Sequence, residues 1–121
     1  MRLLPSLLLT ALMLASVGAH AALDATAQRE ITQLLDFVEH SDCRFIRNGS
    51  EYPGSEARVH LQKKLDYLEN KDLVSSTEDF IERAASKSSM SGKPYQVSCS
   101  GAKQDTATWL NTELKRLRQA Q

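Results

Sequence analysis

Cys43-Arg44-Phe45-Ile46-Arg47-Asn48-Gly49-Ser50-Glu51-Tyr52-Pro53-Gly54 decides the fold class. Phe45 and Ile46 favour extended backbone. Asn48-Gly49 is the dipeptide that most readily takes positive φ at both centres of a two-residue hairpin turn. Arg44–Arg47 therefore reads as a strand and Ser50–Tyr52 as its return, with Pro53-Gly54 ending the pair.

The segment before the hairpin is helical in texture. Asp24 is a suitable N-cap, and Ile31, Leu34, Leu35 and Val38 fall at i, i+3, i+4 and i+7, so one helix is predicted to run to about His40. After the hairpin, Ser55 is read as the cap of a second helix reaching about Asn70, with Ala57, Leu61, Leu65 and Leu68 inward. Ser75 and Glu78 have capping-box spacing and open a short third helix through Phe80, Ile81, Ala84 and Ala85. Residues 86–92 form a serine-rich loop. Tyr95, Val97 and Cys99 then alternate with polar residues as a half-buried strand does. Residues 100–104 read as a turn, and Asp105 or Thr106 caps a last helix with Leu110, Leu114 and Leu117 on one stripe. Trp109, beside that stripe, reads as core. The expected architecture is α+β, four helices packed on a small antiparallel sheet of about three strands.

The N-terminus has a different character. Met1-Arg2 is a short basic start, residues 3–17 are almost uninterruptedly apolar, and Gly18-Ala19-His20-Ala21 offers small residues at the positions a signal peptidase requires. Residues 1–21 are expected to be a signal peptide cleaved after Ala21, and residues 22–121 a single domain in the periplasm. The alternative, an uncleaved anchor, would need a longer apolar run, so no membrane span is expected after cleavage. The chain carries 15 Lys and Arg against 15 Asp and Glu, and cleavage removes only Arg2. That balance gives no electrostatic case for nucleic acid as a partner. An exported chain with two cysteines most simply joins Cys43 to Cys99, and closing that loop would contribute roughly 4 kcal/mol. A metal or redox pair is the alternative, without a CxxC to favour it.

Three segments could carry chemistry. His60 and Lys64 share a face of the second helix, where the lysine charge would hold the imidazole toward its neutral form. Ser86-Lys87-Ser88-Ser89-Met90-Ser91-Gly92-Lys93-Pro94-Tyr95 gathers hydroxyls, a glycine and lysines suited to an anion or a sugar. The third is Arg47-Asn48-Gly49, in which the turn alone accounts for Asn48 and Gly49. Against these stand plain structural readings: a boundary pair with solvated heads, a flexible connection, a turn. The chain has no Walker loop, no GxSxG elbow, no HExxH and no close carboxylate pair, so no cofactor, metal or catalytic residue is assigned.

Residues 45–51, Ala57-x-x-His60-Leu61-x-x-Lys64, residues 77–81 and the block from Ala85 to Val97 together resemble the YfeK-like family, small exported uncharacterised proteins of Gram-negative bacteria. The resemblance covers roughly residues 30–115. It implies no activity, since the family has none established. It implies that Arg47, Asn48, Gly49, His60, Lys64, Ser86, Ser89, Gly92 and Tyr95 are shared positions. Cys43 and Cys99 depart from the typical pattern, so a bridge between them would serve stability.

The expected function is a small binding module whose polar recess, formed by Arg47, Asn48, His60, Lys64, Ser86, Ser89, Gly92 and Tyr95, takes a small anionic or glycan-like ligand or an exported protein. The alternatives are a serine hydrolase using Ser86 or Ser89 with His60 or Lys64 as base, and an inhibitor that plugs another exported protein's cleft with the loop from Ser91 to Tyr95.

Overall fold

Asn48 and Gly49 adopt φ of 49° and 81°, the paired positive values of a type I′ turn, and they close the hairpin between β1 (Arg44–Arg47) and β2 (Ser50–Pro53). The structure is a computed structural model and describes residues 23–121; the expected signal peptide lies outside the described residues. The remaining elements are α1 (Ala25–His40), α2 (Gly54–Asn70), α3 (Thr77–Ala84), β3 (Gln96–Cys99), β4 (Ala102–Asp105) and α4 (Thr106–Gln119). No helix among the described residues is long and apolar enough to cross a membrane.

The sheet has four antiparallel strands in the order β2-β1-β3-β4, one more than expected. Residues 100–104, read as a turn, split into a two-residue turn and a strand. Ser100 and Gly101 take φ of 51° and 82° and repeat the I′ geometry, after which Ala102–Asp105 pairs with β3. Every residue of β4 is exposed, so β4 has no buried face to impose the alternation by which strands are recognised.

One face of the sheet is covered by helices. Phe45 pairs with Val97, and both are buried beneath the helices, of which α2 and α4 contact the sheet directly, in a core that includes Leu34, Val38, Phe80, Ile81 and Leu110. Trp109 is only partly buried at the core's edge; its ring stacks on Phe37 with centroids 4.4 Å apart and meets Phe45 edge-on at 5.5 Å. Cys43 and Cys99 are disulfide-bonded with Cα atoms 4.5 Å apart, the spacing of a directly opposed pair whose side chains lie close.

Two helix starts differ from expectation by one or two residues. The cap of α2 is Pro53, with no side-chain bond, and Ser55 sits inside the first turn. Gly54 begins the helix because α1 passes too near for a side chain: a Cβ there would overlap the Val38 carbonyl oxygen and stand 2.9 Å from that of Glu39. The α3 cap is Ser76, whose hydroxyl accepts from Asp79 N, while the Asp79 carboxylate accepts from Ser75 N and Oγ. The cap is thus displaced by one residue from Ser75–Glu78 to Ser76–Asp79, and the Asp79 carboxylate reaches back to the residue before the cap.

A buried carboxylate joins the helices. Glu30 of α1 is 2% exposed. It accepts from Thr77 Oγ1 at 2.8 Å and from Arg118 Nε and Nη2 at 2.9 and 3.1 Å, so α1, α3 and α4 meet on one charge.

Candidate functional site

The site begins with the register of the sheet. Arg44 pairs with Ser98 and Ile46 with Gln96, so the same register carried forward sets Arg47 opposite Tyr95, on the helix-covered face. Past Phe45 and Val97 that face turns polar at its edge, where the Tyr95 ring is still buried and Arg47 and Tyr52 are only partly so. Arg47, Tyr52 and Tyr95 rise from it toward the His60 and Lys64 side of α2.

The five side chains are joined. Arg47 Nη1 lies 2.9 Å from His60 Nδ1 and 3.4 Å from Nε2, and the shorter contact marks Nδ1 as the acceptor. His60 Nε2 is 3.0 Å from Tyr95 Oη, and Lys64 Nζ donates to the same oxygen at 3.0 Å. Lys64 Nζ also donates to the Lys87 carbonyl at 3.0 Å, and Arg47 Nη2 donates to Tyr52 Oη at 3.3 Å. Because guanidinium nitrogens only donate, the imidazole must be neutral, with its proton on Nε2. Tyr95 Oη then accepts from both His60 and Lys64, which leaves its own hydrogen for a further acceptor. The Arg47 guanidinium lies 5.0 Å from the Tyr52 ring centroid, and Lys64 Nζ lies 4.8 Å from that of Tyr95.

Electrostatics agree with that proton assignment. Burial, reinforced by the charges of Arg47, Lys64 and Lys63, pushes the His60 pKa below its usual value. Burial and the Arg47 charge lower that of Lys64, and burial raises that of Tyr95. The hydrogen bond from Arg47 lowers that of Tyr52.

These groups line an open recess of about 650 Å³ between the β1–β2 turn, α2 and the serine loop. Of the residues singled out in the sequence, Arg47, Asn48, His60, Lys64, Ser89 and Tyr95 line it. Ser86 does not: its hydroxyl donates to the Glu82 carbonyl at the end of α3. Gly92 does not either; it takes φ of 72° in the loop and donates its N–H to Ser88 O at 2.9 Å. Asn48 is at the rim with its amide committed, Nδ2 donating to Ser88 Oγ and Oδ1 accepting from Ser91 Oγ.

Ser88, passed over in the sequence, is the loop's organising residue. It is buried, and its Oγ accepts from Asn48 Nδ2, Met90 N and Ser91 N. The segment is therefore a built loop tied to the β1–β2 turn. Lys63, Arg83, Tyr52 and Tyr67 also line the recess unforeseen. Lys63, as the neighbour of Lys64, was the only one of these with a local signal.

The lining includes Arg47, Lys63, Lys64 and Arg83 and no Asp or Glu. Among the described residues none of these four cations is ion-paired with a carboxylate. The site can therefore supply positive charge and N–H and O–H donors to an acceptor-rich ligand. Neither Ser86 nor Ser89 is hydrogen-bonded to His60 or Lys64; the hydroxyl both of them meet belongs to Tyr95. The group that orients His60 is a cation, where a serine triad would require a carboxylate. Among the described residues no three His, Cys, Asp or Glu side chains gather as a metal site.

No solved structure matches this chain. The uncharacterised protein YfeK of Salmonella typhimurium is 36% identical over 84 residues, which span 69% of this chain and 68% of that protein. The model of DUF5329, a family of unknown function, matches residues 25–118. That match takes in every element from α1 nearly to the end of α4, and with it all the residues of the recess; the chain belongs to the DUF5329 family.

Proposed function

We propose that the protein is a small anion-binding module of the periplasm, and that the recess framed by Arg47, His60, Lys64 and Tyr95 is its ligand site. One observation carries the reading: four cationic side chains and a neutral imidazole converge on a cavity lined by no carboxylate, in a chain whose formal charge is balanced. Gathering like charge is unfavourable unless an anion or solvent answers it. An acceptor-rich anion would take the free Tyr95 hydrogen together with the remaining N–H groups of Lys64 and Arg47. A neutral glycan would leave the charges unanswered.

The test is calorimetric titration with phosphate, sulfate and acetate at low salt, on the protein and on Lys64→Met. The expected result is saturable heat that falls with salt and weakens about tenfold in the variant, the loss of one charge-assisted contact. Equal response of the two proteins, or no binding of any anion, overturns the reading. Cell fractionation with N-terminal sequencing tests the location; it should yield a periplasmic chain beginning at Ala22.

A second reading has one feature in its favour. Met90 is 96% exposed at the tip of the loop that Ser88 holds in shape, as a side chain that inserts into another exported protein would be. Tyr95, included in the inhibitory segment expected from sequence, is buried, which leaves residues 89–93 to present. A stoichiometric band co-purifying from periplasmic extract and lost in Met90→Asp would favour it over the small anion.

A further inference from the structure

A second cavity, of about 300 Å³, lies on the β-sheet side of the same groups. It shares Arg47, Tyr52, His60, Lys63 and Tyr95 with the cationic recess, so these five side chains border both spaces. Its other walls are mainly apolar, with Phe45, Ala57 and Leu61 among them, and carry Glu56 and Gln96 as well; the Glu56 carboxylate sets the anionic end of a ligand in the cationic recess and leaves this cavity to its ring. An apolar cavity of about 150 Å³ is enough to hold benzene, so this one accommodates a ring with a substituent. It is also lined by Thr106, which is 2% exposed and whose Oγ1 has no hydrogen-bond partner. An unsatisfied buried hydroxyl is costly, and most such groups in native proteins have a partner. Thr106 N donates to Tyr95 O at 2.9 Å, so the two residues are neighbours just past the end of the β3–β4 pairing. Both residues line the cavity.

We propose that the ligand is a ring-sized organic anion: its carboxylate or equivalent group meets Lys64 and Tyr95, its ring lies against Phe45, Ala57 and Leu61, and a hydroxyl or carbonyl at its far end pairs with Thr106. This rests on the anion-binding reading and narrows it to a substrate class. An inorganic anion would satisfy the cations and leave the apolar walls and Thr106 unused. A neutral aromatic would do the reverse.

The experiment compares acetate, benzoate and 4-hydroxybenzoate by calorimetry at pH 7 on the protein, Thr106→Val and Lys64→Met. The expected order of affinity is 4-hydroxybenzoate above benzoate above acetate, each step about tenfold, as one buried ring contact or one completed hydrogen bond supplies. Thr106→Val should abolish the step between the two aromatic acids and leave benzoate unchanged, while Lys64→Met weakens all three. Benzoate binding no more tightly than acetate would overturn the inference and leave the anion site standing. Equal affinity of the two aromatic acids for the unsubstituted protein would overturn the role of Thr106. Failure of all three acids to bind would overturn the anion reading itself.

Discussion

His60 Nε2 of α2 lies 3.0 Å from the hydroxyl oxygen of Tyr95, the oxygen that also accepts from Lys64. One atom beside β3 thus holds the polar edge of a helix whose apolar face is already packed. Tyr95→Phe keeps the ring and removes that oxygen. It leaves the His60 N–H and one Lys64 N–H half-buried without partners, so a loss of about 1 kcal/mol in urea unfolding is expected. Anion affinity should fall with it, because the free hydroxyl hydrogen goes too.

His60 makes stability pH-dependent. Its folded pKa is below the ordinary 6.5, first through burial and then through Arg47 of β1 and Lys64 and Lys63 of α2. Above pH 6.5 the imidazole is neutral in both states and contributes no slope. As pH falls through 6.5 the unfolded chain takes up a proton that the folded chain refuses, so stability declines. Melting temperature should fall between pH 7 and 5.5, less steeply in His60→Gln and less steeply again with bound anion. A flat profile in the unsubstituted protein would contradict the assignment of a neutral imidazole.

Glu30 predicts a separate acid limb. Its pKa is held below the ordinary 4.5 chiefly by the hydrogen bonds from Arg118, so the stability it contributes is present above that value and lost as pH drops through the folded one. Arg118→Ala would strand the buried carboxylate with Thr77 alone, costing roughly 2 kcal/mol, with Arg118's own exposure discounted. The double change Glu30→Gln, Arg118→Ala should cost less than the sum of the two, measured as a double-mutant cycle in urea.

Gly54→Ala sets two effects against each other. Alanine favours helix by up to about 1 kcal/mol, but its Cβ would overlap the Val38 carbonyl. The obstructing atom is backbone at the end of α1 and cannot rotate away, so the clash should win, with a net loss of roughly 2 kcal/mol. Thermal unfolding decides it; a stabilised variant would mean that α1 and α2 separate more easily than their packing implies.

Ser88→Ala removes the oxygen that accepts from Asn48, Met90 and Ser91. Hydrogen exchange at residues 90–92 should accelerate about tenfold or more, while amides of α1 and α4 keep their protection. Unchanged exchange in the loop would show that the Lys87–Pro94 bridge is enough to hold it.

The helices were legible because each buries one stripe, and a period of 3.6 survives in sequence whatever it packs against. Ile31, Leu34, Leu35 and Val38 announce α1, and Leu110 and Leu114 announce α4. Asn48-Gly49 announced the hairpin, since few other dipeptides take positive φ twice, and the two cysteines in a chain that starts like an export precursor pointed to their own bond. β4 escaped notice because both its faces meet solvent and leave no alternation. Glu30 escaped because its burial comes from α3 and α4, distant in the chain. The recess was legible only as suspects. Composition picked out His60, Lys64 and the serines, yet which hydroxyl meets the imidazole depends on the β1–β3 register and on where α2 crosses the sheet. Local spacing determines which face of an element is apolar. Ser86 is excluded locally, its hydroxyl bonded to the Glu82 carbonyl four residues back, but the meeting of Arg47, His60, Lys64 and Tyr95 was decided by packing between elements 13 to 35 residues apart in the chain, to which local periodicity carries no key.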